Sequence, residues 1–288
     1  MFEQVEVFYR PASVREVVRL LASGKGRARI VAGGTDLVVD ADSTVRALID
    51  ITHSGLTYIR KQGGVCAIGA ATTMAELQES RTILALGGGI LARAAATCGS
   101  VQIRSVATVG GNLANGSPAA DLVTPLLVLD AVVVVADTKG RRKLPIAEYL
   151  AARGTKGLRQ SLLVEVIVPA SKGRRCGWSF QKLGRTALDI SVVNVAAGLQ
   201  VDGAGRIQGA RLALGAVAPT AIRAGAAEEN LRGRTLNAEA IADAAEGVMR
   251  EVSPITDVRA SAAYRREMCR VLTRRALEEC AEQAGCAL

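Results

Sequence analysis

Thr108-Val109-Gly110-Gly111-Asn112-Leu113 runs on through Asn115-Gly116-Ser117-Pro118-Ala119-Ala120-Asp121, and it has an upstream counterpart in Ala32-Gly33-Gly34-Thr35-Asp36-Leu37. Each stretch follows an apolar or β-branched run, Arg29-Ile30-Val31 before the first and Ser105-Val106-Ala107 before the second. Paired glycines admit positive φ and remove the Cβ that would keep another molecule at a distance. Successive backbone N–H groups in such a turn can converge on an anion. Two such loops can grip a diphosphate from both sides, which points to a nucleotide cofactor.

Working outward, residues 13–23 read as a helix: Ser13 is placed to cap it, Glu16 sits three residues on, and Val14, Val17, Val18 and Leu21 share a face. Gly24 and Gly26 end it. Strands are expected at 28–31 and 47–50, making a small β-α-β start. A second segment opens near Gly63, with a strand at 65–70, a Thr73-capped helix at 74–80, and a further helix at 91–97. After the second glycine stretch come a buried helix at 121–129, a buried strand at 131–136, a turn at 139–142 and a strand at 162–168. Residues 169–175 read as an inter-domain link. Strands at 177–183, 190–201 and 206–215 follow, with Gly203-Ala204-Gly205 as a hairpin turn. Helices from Asn237 to about residue 252, and from Ser261 to about residue 284, complete an α+β pattern.

Composition narrows the function classes. The chain has 288 residues, 49% of them hydrophobic but only 3% aromatic, so aliphatic side chains must fill its core. No apolar run reaches the roughly 20 residues of a membrane span. The opening Met1-Phe2-Glu3-Gln4-Val5-Glu6 does not have the form of a signal peptide, so a cytoplasmic protein is expected. The six cysteines (66, 98, 176, 269, 280 and 286) form no Cys-x-x-Cys pair and His53 stands alone, so no metal site is expected in this chain. The net charge of +9 is partly gathered in Arg259, Arg265, Arg266, Arg270, Arg274 and Arg275. Stacking aromatics are missing there apart from Tyr264, which favours a solvated or subunit-facing helix over a nucleic-acid groove. Neither Gly-x-Gly-x-x-Gly nor a Gly-x-x-x-x-Gly-Lys-Ser/Thr loop occurs, so the phosphate grip is of another kind.

The two glycine stretches, together with Phe180-Gln181-Lys182-Leu183-Gly184-Arg185, Asp189-Ile190 and Arg259-Ala260-Ser261-Ala262-Ala263-Tyr264-Arg265-Arg266, resemble the FAD-binding medium subunit of the molybdenum hydroxylases, the group of xanthine dehydrogenase and carbon monoxide dehydrogenase. The resemblance covers nearly the whole chain. It implies a two-part FAD-binding domain of the vanillyl-alcohol-oxidase (PCMH) type at 1–170, with subdomains at about 1–58 and 59–170. A smaller C-terminal α/β domain of the CO dehydrogenase flavoprotein type follows at 175–288.

The resemblance also implies which residues meet FAD: Ile30, Val31, Ala32, Gly33, Gly34, Thr35, Asp36 and Leu37 from the first stretch, and Thr108, Gly110, Gly111, Asn112 and Ala114 from the second. Backbone amides of Gly33, Gly34 and Thr35, and of Gly110, Gly111 and Asn112, would hold the pyrophosphate, with the Thr108 hydroxyl beside them. Asp36 is out of place beside a diphosphate and reads instead as an acceptor holding its own loop in shape. Asp121 suits a ribityl or ribose hydroxyl, and equally suits the cap of the helix starting there. The counterpart of Lys182 lies at the flavin N1–C2=O edge, where an ammonium stabilises negative charge on reduction. Ile190 matches a residue covering a flavin face, and it also reads as simple core. Leu163 is expected near the ring.

By the same resemblance, a large molybdopterin subunit oxidises substrate, a small subunit carries two [2Fe–2S] clusters, and this chain passes electrons from FAD to NAD or another acceptor, within a dimer of heterotrimers. The alternatives are a stand-alone FAD-dependent oxidoreductase, for which one histidine and few tyrosines supply little acid–base chemistry, and a basic nucleic-acid-binding module.

Overall fold

The computed structural model describes residues 4–40, 42–155, 158, 160–170 and 175–286. Residues 1–3, within the opening read for a signal peptide, and 171–174, within the expected link, lie outside them. The chain divides into two compact units, each assembled from separated stretches: Met1–Leu77, Ser100–Gly116 and Asp130–Pro169 in the first, and Gln78–Gly99, Ser117–Leu129 and Ala170–Leu288 in the second.

In the first unit, three parallel strands lie in the order Val7–Tyr9, Ala47–Asp50, Ala28–Val31. The helix Val14–Ser23 connects the outer two, and Ser13 caps it as expected, accepting from the Glu16 N–H at 3.3 Å. Its buried Val17, Val18 and Leu21 share one apolar core with Ile49 of this sheet and with Val134, Leu162 and Val164 of a second sheet. That second sheet is antiparallel, in the order Ile59–Gln62, Val65–Gly69, Leu162–Pro169, Val132–Asp137, Gly140–Pro145. The turn expected at 139–142 is shorter, and Arg141, Arg142 and Lys143 stand in the edge strand Gly140–Pro145. Three consecutive cations hide a strand's alternation in sequence, yet an edge tolerates them because its outer side faces water.

In the second unit, an antiparallel sheet runs Ile222–Arg223, Ile207–Gly215, Val193–Val201, Cys176–Leu183. Alternation along Val193–Val201 shows why the strand is apolar on both faces. Val193, Val195, Ala197 and Leu199 pack with Leu272, Ala276, Leu277 and Cys280 of the helix Ala262–Gln283. The opposite face carries Asn194, which accepts from Thr124 of the helix Val123–Val128 at 2.7 Å. On that face Gly198 sits opposite Trp178, and the indole occupies the space a side chain at 198 would need. This contact of Val123–Val128 with the sheet is what groups residues 117–129 with the C-terminal stretch rather than with their sequence neighbours.

The arginine-rich last helix is corrected in one respect. Arg265 is not solvated: it is 3% exposed, donates to the Val192 carbonyl at 2.5 Å and pairs with Asp257 at 2.7 Å. Among the described residues, no helix is long and apolar enough to cross a membrane.

Candidate functional site

In the first unit, the strand Ala28–Val31 delivers the chain into residues 32–36, which are followed by the short helix Leu37–Asp40. Buried and half-buried backbone N–H groups normally find acceptors. Here, among the described residues, the N–H groups of Gly33, Gly34 and Thr35 have none within the chain. Gly34 takes φ +70°, open to glycine at little cost. Three successive donors without acceptors, one of them at a left-handed residue, are the pattern from which anion-holding concavities are built. Gly33 answers to packing as well: a methyl there would overlap the Val106 carbonyl and lie 2.9 Å from the Ala107 nitrogen. Ile30 and Ala32 lean on the apolar core, and Val31 flanks Gly34.

The second glycine stretch is not a loop. Ser105 and Val106 end the helix Val101–Val106, and residues 109–115 form the helix Val109–Asn115. Thr108 is buried and caps it, its Oγ accepting from the Gly111 N–H at 3.1 Å. Gly110 N–H donates to the Ala70 carbonyl at 2.8 Å and Asn112 N–H to the Thr108 carbonyl at 2.9 Å. These amides are therefore not the open donors that the glycine pattern suggested. The missing Cβ of Gly110 admits Ala70, whose backbone a methyl would strike. What the helix leaves open is the exposed, side-chain-poor face of Gly111, Ala114 and Asn115, which lie three and four residues apart.

Asp36 is corrected too. Its carboxylate accepts from the Asn115 side-chain amide at 3.0 Å and from the Thr35 hydroxyl at 3.4 Å, but from none of the described backbone N–H groups of its own loop, so its main tie joins the two glycine stretches. Leu163 is buried in the strand Leu162–Pro169, paired with Val135.

In the second unit, Lys182 lies on the strand Cys176–Leu183 and its ammonium is held from two directions. It pairs with Asp121 at 3.0 Å and donates to the Thr97 carbonyl at 2.8 Å. The side chains of Lys182 and Asp121 are 8% and 10% exposed. Asp121 also accepts from the Ser191 hydroxyl at 3.1 Å. Burial raises the Asp121 carboxyl above its ordinary range, while Lys182 and Ser191 draw it back down. Asp121 caps no helix: the residue preceding Val123–Val128 is Leu122, with no side-chain cap. Ile190 is 54% exposed, which removes the reading of it as core. Beside it, Leu188 is exposed and Asp189 pairs with Arg185 at 3.1 Å.

These features fit FAD. In the first unit, open backbone donors beside a side-chain-poor helix face suit a diphosphate; in the second unit, considered by itself, the buried Lys182–Asp121 pair is of the kind that suits a reduced flavin. Among the described residues, no group of three or more His, Cys, Asp or Glu could hold a metal ion. Asn115, Thr97 and Ser191 were not legible as site residues. Asn115-Gly116 is a helix C-terminal signal that could have marked the position, but the carbonyl of Thr97 and the hydroxyl of Ser191 acquire a role only when distant segments meet.

Comparison with known proteins agrees with the geometry. Residues 2–171 match the family described as the FAD binding domain in molybdopterin dehydrogenase, and residues 178–280 match the CO dehydrogenase flavoprotein C-terminal domain. The 6-hydroxypseudooxynicotine dehydrogenase complex subunit alpha of Paenarthrobacter nicotinovorans is 36% identical, over 94% of this chain and 93% of that protein. The xanthine dehydrogenase FAD-binding subunit of Escherichia coli O157:H7 is 32% identical, over 96% and 97%. Among solved structures, a chain of the carbon monoxide dehydrogenase from Hydrogenophaga pseudoflava that lacks the Mo-pyranopterin moiety of the molybdenum cofactor superposes with a TM-score of 0.92 at 31% identity, covering 100% of both chains.

Proposed function

This chain belongs to the family of FAD-binding medium subunits of the molybdenum hydroxylases, and from that premise we propose that it is the electron-transfer subunit of such a complex, taking electrons from [2Fe–2S] clusters in a small partner and passing them to NAD or another acceptor. The chain is thus an oxidoreductase subunit with an FAD-binding domain. In the proposed complex a large subunit holds the molybdopterin cofactor and oxidises the substrate, and two heterotrimers pair in the cytoplasm. Bound FAD supplies the chemistry: it accumulates two electrons and releases them together.

The residues of this chain bind and tune. The observation that carries the reading is the run of three open N–H groups at Gly33, Gly34 and Thr35. It would hold the diphosphate, with Gly111 and Ala114 admitting close approach. Asp121 would accept from a sugar hydroxyl through oxygen lone pairs left over from Lys182 and Ser191, since a carboxylate has about four acceptor sites. Lys182 would place positive charge at the ring, with Ile190 of the same unit as an apolar neighbour. Asp121, as counter-ion, keeps that buried ammonium from standing alone, which would be costly.

The test is purification through a tag on this chain, co-expressed with its genomic neighbours. The expected result is two further chains, flavin absorption bands over a broader iron–sulfur shoulder, and FAD released on denaturation. Flavin alone, with direct substrate turnover by the isolated chain, would favour a stand-alone flavoenzyme. A colourless chain that stays colourless with added FAD would overturn the reading.

A further inference from the structure

A carboxylate at the mouth of an anion site needs an explanation. Asp36 is exposed and immediately follows Thr35, the last of the three open donors. Left to itself, its carboxylate would repel a diphosphate and compete with it for the same N–H groups. Instead its Oδ1 is drawn to Asn115 Nδ2 at 3.0 Å, while its Oδ2 accepts a long bond from the Thr35 hydroxyl at 3.4 Å and neither oxygen takes one of the three N–H groups. Asn115 is the last residue of the helix Val109–Asn115, and that end is itself clamped. Arg153 donates through Nη1 to the Asn115 carbonyl at 2.8 Å and through Nη2 to the Gly116 carbonyl at 3.0 Å. A guanidinium there satisfies orphan helix carbonyls and complements the negative end of the helix dipole. The chain makes room for it: Gly116 adopts φ +66°, and a methyl at that position would overlap the Arg153 guanidinium.

We propose that Arg153 and Asn115 form a latch that holds the Asp36 carboxylate away from the donors of Gly33, Gly34 and Thr35, leaving them to a diphosphate. The latch rests on the reading of those donors as the FAD diphosphate site. Arg153 and Asn115 are positioning residues, because Arg153 acts through Asn115 and Asn115 through Asp36. The arrangement sets the charge at the mouth of the site.

The experiment uses the full chain stripped of flavin, titrated with FAD and separately with ADP, which shares the adenosine diphosphate half and has no flavin. Far-UV circular dichroism confirms folding, and exposed Asn115 is a mild site to change. Asn115→Ala is expected to weaken both ligands about fivefold at low ionic strength, the scale of one ordinary hydrogen bond. The deficit should shrink at high ionic strength, because exposed charges are screened. Adding Asp36→Asn to Asn115→Ala should return both affinities to within about twofold of the parent, on the same scale. Arg153→Lys is expected to fall between parent and Asn115→Ala, since a single ammonium does not reproduce the planar fork.

If the parent binds FAD and Asn115→Ala binds it equally well, the latch is refuted while the flavin reading stands. A weakened Asn115→Ala that neither salt nor Asp36→Asn relieves would also overturn it, since Asn115 would then act on shape and not on charge. A parent that binds neither FAD nor ADP overturns the flavin reading and the latch with it.

Discussion

Replacing Lys182 with Met removes one half of a buried ion pair and leaves the other half behind. Met keeps the length and apolar stem of the lysine, so packing changes little. The Asp121 carboxylate, 10% exposed, loses its partner at 3.0 Å and retains only the Ser191 hydroxyl at 3.1 Å. Breaking such a pair costs about 3–5 kcal/mol, and the retained hydroxyl places this case near 3. For a body of this size that corresponds to a fall in Tm of roughly 6–12 °C. The chain's single tryptophan makes the assay specific, because Trp178 is buried on the same strand as Lys182 and its emission follows the unfolding of that unit.

The sign of the pH dependence is set by burial, which already raises the Asp121 carboxyl and would raise it further without Lys182. A raised folded-state pKa means that the folded form binds the proton more tightly. Its penalty is therefore largest at neutral pH and fades as pH falls through the raised value. Lys182→Met should sit well below the parent at pH 7 and approach it at pH 5. Adding Asp121→Asn should recover most of the loss at pH 7. A deficit equal at both pH values, or one that Asp121→Asn leaves untouched, would refute the account of a stranded buried charge.

Two further outcomes are expected. Gly33→Ala should cost about 2–3 kcal/mol and weaken FAD more than tenfold, because the new methyl meets backbone at Val106 and Ala107 that no rotamer change can relieve. Gly34→Ala has room, with Val38 at 3.5 Å, and should cost only about 1–2 kcal/mol for its φ of +70°; paired thermal melts and FAD titrations of the two variants decide this, and equal effects would contradict it. The backbone N–H of Arg259, then the Arg265 guanidinium and the N–H of Ala260, hold the Asp257 carboxyl well below its usual range. A depressed folded-state pKa gives stability that is present above the unfolded value of 3.8 and is lost as pH falls below it. Asp257→Asn should therefore flatten the acid limb of the stability curve relative to the parent in acid-unfolding titrations, and parallel curves would count against the assignment.

The strands that carry apolar side chains were readable from local pattern. So were the helices whose caps sit beside them in sequence, at Ser13, Thr73, Asn237 and Ser261. The edge strand Gly140–Pro145 was not, because Arg141, Arg142 and Lys143 contain no alternation to read. The second glycine stretch reads as a loop in the sequence and is a helix in the structure. Gly110 and Gly111 belong to the first turn of a helix, and their lack of side chains serves the approach of Ala70 and the Thr108 cap. A glycine pair announces that something comes close, and only the fold says what.

The order of the motifs along the chain therefore determined the family, the cofactor class and the α+β architecture, since these rest on short-range pattern and on residue chemistry. The tertiary structure alone decided which donors stay open, that Lys182 is paired with Asp121, that Arg265 is buried, and that Asn115 and Arg153 hold Asp36. Each of those facts is a meeting of residues far apart in sequence, and no local periodicity encodes the partner of a charge.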